Sequence, residues 1–167
     1  MIKNIVEDII STLGLEPHPE GGYFKEIYRS KDSINKECLE KKYSGNRNYA
    51  TSIYYLLTSE TFSAFHRIHQ DEIWHFYNGS PIILHIINER GEYSKVEIGN
   101  DIQKGQRPQY VVEGGCWFGA TVKDPKSFSL VGCTVSPGFD FSDFELGDCH
   151  ELSSLFPQHK GIFKRLT

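Results

Sequence analysis

The chain has no apolar run long enough to cross a membrane as a helix, which argues against an integral membrane protein of that kind. It has no basic stripe either. Its 18 Lys and Arg stand against 22 Asp and Glu, a net charge of −4, so nucleic acid is not an expected partner. None of the four cysteines, Cys38, Cys116, Cys133 and Cys149, lies in a Cys-x-x-Cys pair, which argues against a zinc knuckle. The N-terminus lacks the charged cap and apolar core of a secretion signal. Met1-Ile2-Lys3-Asn4-Ile5 opens an amphipathic pattern instead. A cytoplasmic protein with reduced thiols is therefore expected, with Cys116 and Cys133 acting as small buried hydrophobes. Internal repeats, low-complexity tracts and interior linkers are also missing, so residues 1–167 are read as one domain.

What is present points to strands. Aromatic residues make up 13% of the chain, a bias that favours sheets. Only the beginning reads as a helix: Ile2, Ile5, Val6, Ile9, Ile10 and Leu13 recur at helical spacing, and Gly14 ends the pattern. Leu15 to Gly22 holds two prolines and two glycines and requires a shaped turn, with His18 and Glu20 read as solvated loop. Tyr23 to Arg29 predicts a strand, Lys31 to Asn48 a long polar surface loop or hairpin tip, and Ala50 to Leu57 another strand. From Phe62 onward strand-like runs follow every eight to twelve residues: 62–68, 72–77, 82–87, 93–98, 109–112, 116–122 and 128–135. Asn78-Gly79 is the strongest hairpin signal among the turns between them. After Val135 the chain is expected to leave the barrel, with short helical turns near 143–146 and 152–156 and a tail at 162–166.

The chemistry is expected in the stretch from His66 to Gly79. It holds His66, His69 and His75 with Glu72, the residue types that bind divalent metals, transfer protons and hold polar ligands. Strand alternation puts His66 and Glu72 on one side and His69 on the other, unless a bulge near Gln70 intervenes.

The same stretch resembles the first motif of the cupins. His66 fits its first histidine, and Glu72 and Gly79 fit its Glu-to-Gly spacing. Ile68 stands where the second histidine belongs, with His69 one residue late. Phe118 stands where the second motif ends in a histidine. A narrower resemblance covers nearly the whole chain. His18-Pro19-Glu20-Gly21-Gly22-Tyr23-Phe24, Phe65-His66-Arg67 with Asp71-Glu72-Ile73-Trp74-His75, Arg107-Pro108-Gln109, and Val131 to Phe141 are similar to a small cupin family of unknown function, often labelled predicted sugar epimerases. The resemblance implies an all-β cupin double-stranded β-helix, or jelly roll, with a short N-terminal helix (about 2–13), a barrel (about 22–135) and a C-terminal extension (136–167) bearing short helical turns. It also implies a homodimer.

The site residues expected on these grounds are His66, Glu72 and His75 for acid–base catalysis. Sugar epimerases of the related barrel pair a His base with a Tyr acid, for which Tyr54 is the candidate here. Glu20 and Tyr23, which the rigid Pro-Glu-Gly-Gly turn would fold over the barrel mouth, and Trp74, Phe76 and Gln109 are the remaining candidates for ligand binding. For His75 the competing reading is a hydrogen-bonded strand residue at a dimer interface. Trp74 and Phe76 are equally readable as core. No cofactor is expected; were a divalent metal held, its ligands would be His66, His69 and Glu72. Three functions stay open: an epimerase or isomerase of a small polar metabolite, a non-catalytic small-molecule binding protein, and a metal-dependent enzyme.

Overall fold

The structure is a computed structural model that describes residues 2–167. It opens with helix α1 (Ile2–Leu13), followed by the short strand β1 (Glu16–Pro17) and by β2 (Tyr23–Arg29). Strands β3 (Ser33–Ile34) and β4 (Arg47–Asn48) pair with each other in a small side ribbon. Then come β5 (Thr51–Thr58), β6 (Phe62–Ile68), β7 (Asp71–Gly79), β8 (Ile82–Ile87), β9 (Tyr93–Ile98), β10 (Gln109–Val112), β11 (Trp117–Val122) and β12 (Phe128–Ser136). A last strand, β13 (Phe144–Leu146), precedes helices α2 (Cys149–Leu155) and α3 (Lys160–Leu166).

The strands form two antiparallel sheets with orders β1-β2-β5-β12-β7-β10 and β13-β6-β11-β8-β9. They face each other as the jelly roll of the expected cupin fold. Alternation along each strand decides what lies between the sheets. On β5, Tyr55 and Leu57 point inward; on β7, Trp74; on β11, Phe118 and Ala120; on β8, Ile82, Leu84 and Ile86. These residues fill one end of the barrel, and the other end is open. The outward residues are covered in two places. Val6, Ile9, Ile10 and Leu13 of α1 lie over Leu56, Phe128 and Leu130 of the larger sheet. Leu152, Phe163 and Leu166 of α2 and α3 cover Phe65, Ile87 and Trp117 of the smaller one. Ile2 and Ile5 of the helical pattern remain exposed.

Four expectations need correction. The tract 31–48 is not a free surface loop: Arg47 and Tyr43 are buried, and Arg47 forms an ion pair with Asp143. Asn78-Gly79 is not a hairpin turn, because β7 and β8 belong to different sheets and the chain crosses between them there. Residues 144–146 form a strand on the edge of β6, with Phe144 opposite Ile68 and Leu146 opposite His66, so the barrel extends beyond 135. The bend at His69-Gln70 likewise carries the chain from one sheet to the other. His66 and Glu72 therefore both face the interior, but across it from opposing sheets instead of along one strand.

Candidate functional site

The open end of the barrel encloses a cavity of about 310 Å³, at the small end of the range for ligand pockets. A turn reaches over it from outside the two sheets. Gly21 and Gly22 have φ of +112° and +69°, and a side chain at either would collide with the carbonyl of Phe62 or Leu56. Glycine is needed for that shape. The turn is tied down by the Glu20 carbonyl, which accepts from the Ala64 amide at 2.8 Å. The Tyr55 hydroxyl donates to the Gly21 carbonyl at 2.8 Å. His18 and Glu20, read from sequence as solvated loop, are thereby carried into the cavity wall.

Glu20 and His66 meet there. Glu20 Oε2 lies 3.1 Å from His66 Nε2, and Glu20 Oε1 accepts from the Ser63 hydroxyl at 2.8 Å. His66 Nδ1 is 2.8 Å from the Ala64 carbonyl. A carbonyl only accepts, so Nδ1 carries hydrogen. The contact at Nε2 then needs a second proton, held either on the imidazole or on the carboxyl. The two groups are placed to share a proton at the cavity surface. His18 stands beside it as a neutral ring. Its Nδ1 accepts from the Glu20 amide at 3.4 Å, and burial lowers its pKa, with Glu20 opposing and His66 adding to that shift.

Glu72 faces the same space from β7. Burial raises its carboxyl pKa to about 7; His66 opposes the shift, Glu20 adds to it, and the Cys133 thiol opposes it by hydrogen bonding. A carboxyl tuned to that range exchanges protons at neutral pH, which suits a general acid or base. The neighbouring Tyr55 and Cys133 are buried and pushed well above their usual ranges, so both stay protonated. Ile53, Ile68 and Val135 supply apolar wall, and Phe24, Phe139, Phe141 and Phe144 surround the mouth.

The expected metal ligands do not converge. His69 is absent from the cavity; its Nδ1 lies 3.4 Å from Asp143 on the other side of the bend. Phe118, pairing opposite His66, packs its ring 4.2 Å from the imidazole. Both His66 nitrogens are engaged, one by Ala64 and one by Glu20. Among the described residues no three His, Cys, Asp or Glu side chains form a metal-holding group. The residues present therefore do not fit the metal site considered from the sequence.

Of the other sequence candidates, only Glu20 lines the cavity. His75 points out of the opposite face of β7, and its Nε2 lies 3.1 Å from the Thr134 hydroxyl. Tyr54 and Tyr23 lie on the outer face under α1; the inward tyrosine is Tyr55, one residue along the same strand. Trp74 is fully buried core, and Phe76 packs against that core. Gln109 is exposed on β10 opposite His75. The sequence reading missed the cavity roles of His18 and Tyr55 and the support from Ser63. The rigid Pro-Glu-Gly-Gly turn that was read as folding Glu20 over the mouth carried the signal for His18 as well; the other two had no local signal.

Comparison with known proteins agrees with this architecture. The family described as "Cupin superfamily (DUF985)" matches residues 7–147. A solved structure of protein SO0799 from Shewanella oneidensis is similar at 39% identity and a TM-score of 0.87, covering 96% of both chains. A hypothetical protein from Leishmania major is 37% identical with a TM-score of 0.87, covering 96% of this chain and 97% of that one. The uncharacterized protein YML079W of Saccharomyces cerevisiae is 32% identical over 147 residues, 83% of this chain and 73% of its own length.

Proposed function

This chain belongs to the cupin family DUF985, and we propose that its cavity carries out proton transfer on a compact polar metabolite of the sugar class, an epimerisation or isomerisation. The observation that carries the reading is the pairing of two proton-handling units across one cavity. Burial pushes the Glu72 carboxyl up to about 7, and Glu20 Oε2 lies 3.1 Å from His66 Nε2, placed to share a proton with it. In the proposed step the Glu72 carboxylate takes the proton from a carbon beside a carbonyl. The proton of the Glu20–His66 pair moves to the carbonyl oxygen, giving an enol. For the isomer, Glu72 returns its proton to the former carbonyl carbon while the hydroxyl on the neighbouring carbon gives its proton to the Glu20–His66 pair. For the epimer, the enol hydroxyl returns its proton to that pair, water protonates the same carbon from the other face, and Glu72 releases its proton to solvent. Burial strengthens both transfers because charge forming in the cavity is poorly screened by water.

The tyrosine acid of the expected His–Tyr pair has no counterpart here. Tyr54 is outside the cavity, and the Tyr55 hydroxyl is committed to the Gly21 carbonyl. That observation favours a second reading, a binding protein without turnover. Incubating the protein with aldoses, ketoses and amino sugars in D2O separates the two. Deuterium entering beside the carbonyl, seen by proton NMR and lost in Glu72→Gln, supports catalysis. Compounds that stabilise the fold but are recovered without deuterium support binding alone.

The homodimer implied by the family resemblance is kept as a proposal. Tyr77 and Val111 leave large apolar surface on the outer face of the six-stranded sheet, 45% and 41% exposed, which supports association there. Light scattering that gives a single-chain mass at micromolar concentration overturns it.

A further inference from the structure

Carboxylates outnumber cations around the cavity. Glu26, Glu72 and Asp140 line it against a single guanidinium, Arg29, with Glu20 already paired to the His66 ring. That guanidinium is already engaged. Its Nε and Nη2 donate to Glu26 at 2.9 and 2.7 Å, and its Nη1 donates to Asn48 and to the Phe139 carbonyl at 2.9 and 3.1 Å. Glu20 has His66 and Ser63 as partners. Glu72 is different: it is only 8% exposed, it lines the cavity, and apart from the Cys133 thiol no described group hydrogen-bonds its carboxyl. A buried carboxylate of that kind calls for a counter-charge or a donor from the ligand.

The rim adds a second, independent feature. Phe139 and Phe141 meet edge to face at 5.0 Å, and Phe141 and Phe144 at 6.0 Å. Phe141 is 53% exposed, a large ring held at the mouth without being used as core. Several aromatic faces beside carboxylates form a setting in which a positive charge is favoured twice, by the ring quadrupoles and by the acids. An anion entering there would meet Glu72 and Asp140 with Arg29 already paired. The volume, enough for roughly ten waters at about 30 Å³ each, limits the ligand to a compact one.

We propose that the cavity binds an organic cation, an alkylammonium group set between the Glu72 carboxylate and the phenylalanine rim. Resting on the proton-transfer reading, this narrows the substrate to an amine-bearing carbonyl compound such as an amino sugar, in preference to a phosphorylated or nucleotide-linked sugar. The substrate's ammonium group supplies the counter-charge that Glu72 lacks.

The test compares choline with its uncharged isostere 3,3-dimethylbutan-1-ol by calorimetric titration of the unaltered protein. Choline binding at least tenfold tighter than the isostere, with the gap closing in Glu72→Gln, is the expected result. Equal binding of the two, no binding of choline at millimolar concentration, or tighter binding of glucose 1-phosphate than of choline overturns the proposal. Choline has no hydrogen on a carbon beside a carbonyl, so this outcome is independent of the deuterium assay. Cation binding without exchange sinks the catalytic reading alone, and exchange into a neutral sugar without choline binding sinks the cation alone.

Discussion

Arg47 and Asp143 are as deeply buried as Glu20 and Glu72, at 4% and 2% exposure against 8% and 8%. The two regions treat that burial differently. Asp143 accepts from Arg47 Nε at 2.6 Å and from Gln70 Nε2 at 2.7 Å, with the second Arg47 nitrogen on its other oxygen. Arg47 also donates to the Asn46 carbonyl and the Ser142 hydroxyl. Every charge in that cluster has its counter-charge. It fastens the tract 31–48 to the segment that follows β12, and the cleft that Asp143 borders is more polar than the barrel cavity. In the barrel, by contrast, Glu72 is buried with a thiol for company. A site completed only by its ligand has that form; a finished structural joint has the other.

Removing one half of the joint gives the largest effect. Asp143→Ala leaves a guanidinium buried without a partner and should cost about 3–5 kcal/mol, a fall in Tm of roughly 10 °C or more for a domain of this size. Arg47→Met combined with Asp143→Leu should recover most of it, because no charge is then stranded. If the single variant melts within a degree or two of the unaltered protein, the joint is not structural and the contrast with the barrel fails.

Glu72 should behave in the opposite way. Its folded pKa of about 7 lies above the ordinary 4.5. Between those values the folded state binds more protons than the unfolded one, so its contribution falls as pH rises, reaching a penalty of about 3 kcal/mol above pH 7. Glu72→Gln should therefore stabilise the protein at pH 8 by that order while abolishing any turnover. His85 has the reverse sign. Burial, aided by the charges of Arg165 and Lys95, lowers its pKa from 6.5 to about 4. Its ring is held by Tyr93 and Thr121 at 2.7 and 3.0 Å. The unfolded state binds the extra proton, so stability is lost as pH falls from 6.5 toward 4. Over 4.5 to 6.5 the two slopes oppose each other in the unaltered protein. Melting temperatures of Glu72→Gln across that window should rise with pH more steeply than those of the parent. Parallel curves would mean that Glu72 has an ordinary carboxyl and nothing special to offer a substrate.

The same contrast explains how much could be read from the chain. Regular alternation made most strands legible, some to the residue: Tyr23–Arg29, Phe62–Ile68, Ile82–Ile87, Tyr93–Ile98 and Gln109–Val112 stand as expected. Sequence alternation put His66 and Glu72 on one side of a single strand; both do face inward, but from β6 and β7 on opposing sheets, joined by the bend at His69-Gln70. The inward phase failed at β5, where Tyr54 and Tyr55 are chemically alike and outward residues are also buried, under α1. Strand β13 was missed because three residues carry no period; its pairing with β6 makes it a strand. Arg47 and Asp143 lie 96 positions apart, and no local rule joins a charge in one polar tract to a charge in another. Glu20 was found by its rigid turn, but its partner His66 came only with the fold.

The smallest expected effect tests the boundary between the two regions at a single strand. His75 lies three residues after Glu72 and so points from the other face of β7, where its ring reaches only the Thr134 hydroxyl. His75→Ala removes one partly exposed hydrogen bond, worth about 1 kcal/mol, and strands no charge. Exchange activity and choline binding should stay within twofold of the parent, with Tm lower by a few degrees at most. The turn at His69-Gln70 places Glu72 inside the barrel independently of what His75 touches, so the two residues should not couple. A tenfold loss of either readout in His75→Ala, with the fold intact, would mean that the outer face of the larger sheet communicates with the cavity through β7. The division between a closed exterior and a reactive interior would then be wrong.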